Sequence, residues 1–297
     1  MAHDSIEVPV ESFFVRSRDG TRIRVHRSGV GPHRWLLMPG LGTPLLVWKH
    51  VFERFHDKMT MVTWDQRGCY GSDSPLRREQ LAFDYHVEDA VAVLQHLGWT
   101  EQFVTGSWSM GVQLGLALYE RLPERVRALT LINGAFEHVL HTAYGPPQTT
   151  PLIRAMLRGV IRAAPLVGKP TQRLLQSGRA GYLMDRLRVS TNNVEFVTEV
   201  TKELGQIDFA NYFTILLELD KHSGRAVLPR VSVPTLITAG GKDVATPPEV
   251  AEELHRGIPH AEFVLIENGT HYTPLEYPEQ LNHALDGFFG RVFGPDW

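Results

Sequence analysis

Residues 103–118 read Phe103-Val104-Thr105-Gly106-Ser107-Trp108-Ser109-Met110-Gly111-Val112-Gln113-Leu114-Gly115-Leu116-Ala117-Leu118. An apolar run enters a small-x-Ser-x-Gly turn and an apolar helical pattern leaves it, the strand–turn–helix setting that gives such a match its meaning. The turn is too sharp for bulky residues to clear the neighbouring strand and helix, so small residues are required two positions either side of the serine. Ser107 and Gly111 fill those places around Ser109. The pattern predicts a serine oxygen exposed at the edge of a sheet, with a helix N-terminus behind it.

Ser107 is the rival centre. Centred there, the turn would place β-branched Thr105 where it fits poorly. Gly115 would also lose its position six residues after the serine, where a small side chain lets the helix press on the sheet. Ser109 is therefore the expected nucleophile. A serine-rich turn without chemistry is the plain alternative, and it holds only if the motif stands alone.

Outward from this stretch, strands and helices alternate. Residues 13–18 and 22–27 alternate in polarity around Asp19-Gly20-Thr21 and read as a hairpin. Trp35-Leu36-Leu37-Met38 and Thr60-Met61-Val62-Thr63-Trp64 read as buried strands, with a helix over 45–56 between them. A helix over 83–97 follows, then the serine strand, its helix to about residue 121, and a strand over 128–133. Between about 135 and 229 no clear strand appears, only helical periodicity and loops such as Tyr144-Gly145-Pro146-Pro147. The alternation then resumes: strand 235–239, helix 247–256, strand 263–266, helix 278–292. Such alternation with short links implies a parallel sheet covered on both faces, and the helical interruption reads as a lid.

The composition fits a globular enzyme: 297 residues, 43% hydrophobic and 21% charged. A net charge of −3 gives no hint of nucleic acid. Residues 1–7 lack a basic, apolar leader, and no apolar run reaches the ~20 residues of a membrane span. Cys69 is the single cysteine, which excludes internal disulfides, and a cytoplasmic location is expected.

A serine nucleophile needs a base to take its proton and an acid to orient that base. Asp243 follows the apolar run 235–239 and His271 follows the last strand, in the order Ser…Asp…His. The plain alternatives are an N-cap or turn role for Asp243 and a surface loop for His271. The next candidate for the acid is Glu137, just past the preceding strand. An oxyanion formed in acyl transfer needs backbone N–H donors. Met110 opens the helix after Ser109, and Leu41 lies in the glycine-rich loop Met38-Pro39-Gly40-Leu41-Gly42. Cys69 lacks a partnered base and reads as a turn thiol. His255 and His260 lie five apart with no third ligand, so no metal is expected, and no glycine-rich phosphate or dinucleotide motif is present. No cofactor is implied.

On the loop 38–42, the segment Asp65-Gln66-Arg67-Gly68-Cys69-Tyr70-Gly71-Ser72-Asp73, the turn at Ser109, Asp243 and His271, the chain resembles capped α/β-hydrolase-fold enzymes over residues 12–292. The resemblance implies a doubly wound, mostly parallel eight-stranded sheet, with core segments 1–134 and 231–297 and a helical cap over 135–230. It also implies a serine hydrolase that cleaves a carboxylic ester or related acyl substrate, with Asp65-x-Arg67-Gly68 as a structural turn. The chain departs from the family pattern in two places: Ser107 replaces the first glycine of the turn, and Pro39-Gly40 replaces the usual His-Gly, as in some lipases. The segments 65–69 and 106–108 resemble proline iminopeptidases, whose cationic substrates would want acid in the lid. A C–C bond hydrolase acting on diketo-acids is a further alternative. Haloalkane dehalogenases and epoxide hydrolases fit poorly, because they use a carboxylate where this chain has Ser109. A non-catalytic ligand receptor on the same fold is the reading of another class.

The lid is basic. Arg154, Arg158 and Arg162 recur at i, i+4, i+8, and Lys169, Arg173, Arg179, Arg186 and Arg188 follow against a lone Asp185. A solvated face is the plain reading. Attraction of an anionic acyl substrate is the chemical one, and contact with an anionic membrane surface is a less favoured third. Phe196, Phe209, Tyr212, Phe213 and Leu216 suit either an acyl pocket or an ordinary core.

Overall fold

Seven residue pairs zip β1 (Val10–Arg16) antiparallel to β2 (Arg22–Ser28). β1 ends earlier than the alternation suggests because the turn claims Ser17 and Arg18. Ser17 N–H donates to Thr21 O and Gly20 N–H to Ser17 O. The computed structural model describes residues 6–140, 147–179 and 194–297. Residues 1–5, Tyr144, Gly145, Pro146, Asp185, Arg186 and Arg188 lie outside that set, as does the side chain of Phe196.

The remaining strands are β3 (His33–Met38), β4 (Met59–Trp64), β5 (Phe103–Trp108), β6 (Val126–Ile132), β7 (Thr235–Gly240) and β8 (Glu262–Ile266). They form one sheet in the order β1-β2-β4-β3-β5-β6-β7-β8. Only β2 runs against its neighbours; every pair from β4 onward is parallel. Parallel strands are buried on both faces and read as continuous apolar runs for that reason. Period-two geometry sends Leu36 and Met38 into one core and Trp35 and Leu37 into the other.

Around the sheet lie α1 (Lys49–Phe55), α2 (Phe83–Leu97), α3 (Gly111–Arg121), α4 (Thr150–Gln176), α5 (Val194–Leu204), α6 (Phe209–Leu219), α7 (Pro248–Gly257), α8 (Thr273–Glu276) and α9 (Pro278–Phe293). The helix expected over 45–56 is split, with a tighter 3₁₀ turn at Leu45–Trp48 leading into α1. Phe52 and Phe55 of α1 join Phe288 and Phe289 of α9 in the second core, while α2 and α3 cover the opposite face.

Between β6 and β7 the described residues hold α4, α5, α6 and one isolated bridge, Glu137 to Ser223. Asp208 caps α6 by accepting from Ala210 and Asn211 N–H. Asn211 then donates to Gly68 O and Ser74 Oγ, and the Tyr212 ring lies against Gly42. These contacts tie the inserted helices to the loops at the carboxyl ends of β3 and β4. Because β5, β7 and β8 are parallel, the residues just past their carboxyl ends gather at one edge of the sheet.

Candidate active site

Ser109 sits between β5 and α3 with φ at +57°, a left-handed conformation that costs a non-glycine residue about 1–2 kcal/mol. Its backbone is held on both sides: its N–H donates to Ile132 O at 3.0 Å and its carbonyl accepts Val112 N–H at 3.0 Å. Close packing enforces the small flanks. A Cβ on Gly111 would collide with the Met38 carbonyl oxygen, and one on Gly115 with Ser107 Oγ. Ser107 itself is fully buried within β5, and its hydroxyl has no hydrogen-bond partner among the described residues. The register centred on Ser109 is thus the one that the geometry builds, with Gly115 pressing α3 onto the strand.

Ser109 Oγ lies 2.8 Å from His271 Nε2, and His271 Nδ1 lies 2.9 Å from Asp243 Oδ2. With Asp243 ionised, Nδ1 carries the proton and Nε2 is left to accept from the serine hydroxyl. Asp243 is buried and densely bonded. Oδ1 accepts the N–H groups of Ala245 and Thr246, each at 2.8 Å, and Oδ2 accepts Thr246 Oγ1 at 2.8 Å and Asn133 Nδ2 at 3.1 Å. Burial works to raise the Asp243 carboxyl, but the adjoining His271 and the Thr246 bonds outweigh it and hold the group below the usual carboxylate value. Glu137, the other acid considered, is engaged by Ser223 and Arg225.

His271 is fixed through its backbone as well. Trp108, the residue before the nucleophile, donates Nε1–H to His271 O at 2.9 Å, and the two rings lie 4.9 Å apart. Asn133, at φ +43° past the end of β6, gives Nδ2 to both Asp243 and Thr270 O and accepts Thr273 Oγ1 at 2.6 Å. Sequence reasoning passes over Asn133 and Thr246. The available signal is a polar residue in each of the loops that follow β6 and β7.

The amide groups of Leu41 and Met110 have no acceptor among the described residues. The loop holding Leu41 is braced at the next residue: Gly42 N–H donates to Gln66 Oε1 at 2.9 Å and Gly42 O accepts Tyr70 Oη–H at 2.7 Å. Gln66 Nε2 reaches Met110 Sδ at 3.2 Å, so one buried side chain links the Gly42 loop to the residue that follows Ser109. The neighbouring Arg67 is fully buried and holds Asp89, Asp19, Ser17 Oγ and Gln80 O, a structural knot under the turn. Cys69 is buried, and burial, with Asp65 and Asp208 nearby, pushes its thiol up to about 12. It is not a thiolate at neutral pH.

A second serine–histidine–aspartate contact exists at Ser12, His26 and Asp65, with 2.8 and 3.0 Å separations. Ser12 lies in the middle of β1, with no turn to free backbone amides beside it. In α4, Arg154 is turned inward and bonded twice to the buried Asp220, whereas Arg158 and Arg162 are exposed. The three arginines therefore do not share one cleft. Among the described residues no group of three or more His, Cys, Asp or Glu side chains is placed to hold a metal ion, and no helix is long and apolar enough to cross a membrane. His260 bonds Val233 O and His255 stacks on Phe263.

A sequence model of the family described as alpha/beta hydrolase fold matches residues 36–278. The chain is 27% identical over 254 residues to 3-oxoadipate enol-lactonase 2 of Acinetobacter baylyi, covering 84% of this chain and 86% of that one. It is 27% identical to a proline iminopeptidase of Thermoplasma volcanium, over 78% and 80% of the two chains. An esterase from Exiguobacterium antarcticum shares the fold with a TM-score of 0.75 at 18% identity, over 94% of this chain and 99% of that one.

Proposed function

The chain belongs to the α/β-hydrolase fold family and is a hydrolase; from that premise we propose that it cleaves a carboxylic ester or related acyl compound through an acyl-enzyme on Ser109. The observation that carries this reading is the unbroken relay from Ser109 Oγ through His271 to Asp243, at 2.8 and 2.9 Å, with the serine on a left-handed turn.

His271 Nε2 takes the Ser109 proton as Oγ forms a bond to the carbonyl carbon. The carbonyl oxygen gains the electron pair and accepts hydrogen bonds from the N–H groups of Leu41 and Met110, the latter at the positive end of α3. His271, now charged against Asp243, returns the proton to the leaving oxygen as the C–O bond breaks. Water then gives a proton to His271 and attacks the acyl carbon, and Ser109 leaves with that proton. Asp243 stays ionised throughout and holds the imidazole in one tautomer.

The experiment is a panel of p-nitrophenyl esters, an enol-lactone, a diketo-acid and a prolyl amide, assayed on wild type and Ser109→Ala. Ester or lactone turnover that vanishes in the variant supports the reading. Turnover of the prolyl amide or the diketo-acid alone overturns it.

A further inference from the structure

Helix α4 sorts its side chains into three sectors. At 3.6 residues per turn, Thr150, Leu157 and Ile161 share one side and are buried. About a quarter turn away, Arg158, Arg162, Lys169 and Arg173 form an exposed stripe. Beyond it lie Leu152, Met156, Leu166, Val167 and Leu174, all exposed, with Leu152 at 74% and Leu166 at 82%. A solvated helix face normally mixes charges of both signs. This one has no Asp or Glu anywhere in Thr150–Gln176, and none of the four exposed cations meets a carboxylate among the described residues.

We propose that this outer face of α4 beds on an anionic lipid bilayer, with the leucines and Met156 in the acyl boundary and the four cations on lipid phosphates. A basic stripe beside an apolar stripe is the arrangement such a surface rewards, since one sector needs negative charge and the other needs to leave water. A second copy of the chain fits less well: it would bring four cations from each helix to one interface, with no acid on either α4 to answer them. The helix is about 40 Å long and lies along the surface rather than across it. Its inner face packs toward α6, whose Tyr212 lies against the Gly42 loop, so α6 links the lipid-facing helix to that loop.

The test is co-sedimentation of the whole protein with vesicles of phosphatidylcholine alone and of phosphatidylcholine mixed with phosphatidylglycerol, at low and high salt. Binding to the mixed vesicles only, weakening with salt, is expected. Replacing all four cations (R158Q, R162Q, K169Q and R173Q) should lower the partition coefficient by roughly 10³-fold. Replacing Leu152, Met156, Leu166 and Leu174 with serine should lower it as well, with unchanged fluorophosphonate labelling as the check that both variants are folded. Equal binding to both vesicle types, binding that neither variant reduces, or no binding at all overturns the proposal. So does a protein dimer that the serine variant dissociates.

Discussion

The Asn133 side chain donates Nδ2 to Asp243 Oδ2 at 3.1 Å from a backbone set at φ +43°, and thereby ties the loop after β6 to the loop after β7. The same nitrogen reaches Thr270 O, one residue before His271. A single amide thus sets the spacing between acid and base. Asn133→Gly keeps the left-handed backbone and removes the bonds. It should cost about 2 kcal/mol of stability, since Thr273 Oγ and Thr270 O lose their buried partner. Turnover should fall about tenfold as Asp243 loosens. Urea denaturation together with steady-state kinetics reads both, and unchanged kcat would remove Asn133 from the positioning network.

Asp243→Asn should fold, because its Oδ1 still accepts the Ala245 and Thr246 amides. Its amide would face His271 Nδ1 and favour the wrong tautomer, so kcat should drop by roughly 10⁴. Activity within tenfold of wild type would place the acid elsewhere.

Burial, with Arg67 nearby, pushes His86 down to about 3, so it stays neutral in the folded chain over a range where the unfolded chain protonates it. Its folded value lies below the unfolded ~6.5, hence the unfolded state binds more protons between those values and stability falls with falling pH across that window. The slope is about 1.4 kcal/mol per pH unit. His86→Gln should lose this contribution, so the difference in unfolding free energy between wild type and variant should vary with pH from 6.5 toward 3. A difference independent of pH would contradict it.

Alkylation should separate Cys69 from the chemistry. With its thiol at about 12 and no exposed surface, it should resist iodoacetamide at pH 8 until the protein is denatured, and treated enzyme should retain full activity. Rapid modification of the native protein with loss of turnover would overturn that.

Ser109, Asp243 and His271 are legible in the sequence for one reason: each follows a strand that reads clearly, and parallel strands deliver their carboxyl ends to one edge. Asn133, Thr246 and Gln66 are not legible in that way. Asn133 meets Asp243 across 110 residues and Gln66 meets Met110 across 44, and no local spacing encodes such contacts. The arginines of α4 are divided by helix geometry. Steps of four advance ~40° around a helix, so Arg154, Arg158 and Arg162 turn progressively from the core to solvent. Asp220, which captures the first of them, lies 66 residues away. The sheet is readable because its apolar runs are long and separated by turns, whereas the break of Leu45–Trp48 from α1 depends on packing.

Fluorophosphonate labelling followed by peptide mass spectrometry tests the central claim most directly, because only a serine with a base and free amides beside it reacts quickly. One adduct on Ser109 is predicted, absent from Ser109→Ala and retained in Ser107→Ala and Ser12→Ala. Labelling that persists in Ser109→Ala, and disappears instead with Ser107 or Ser12, would contradict the account.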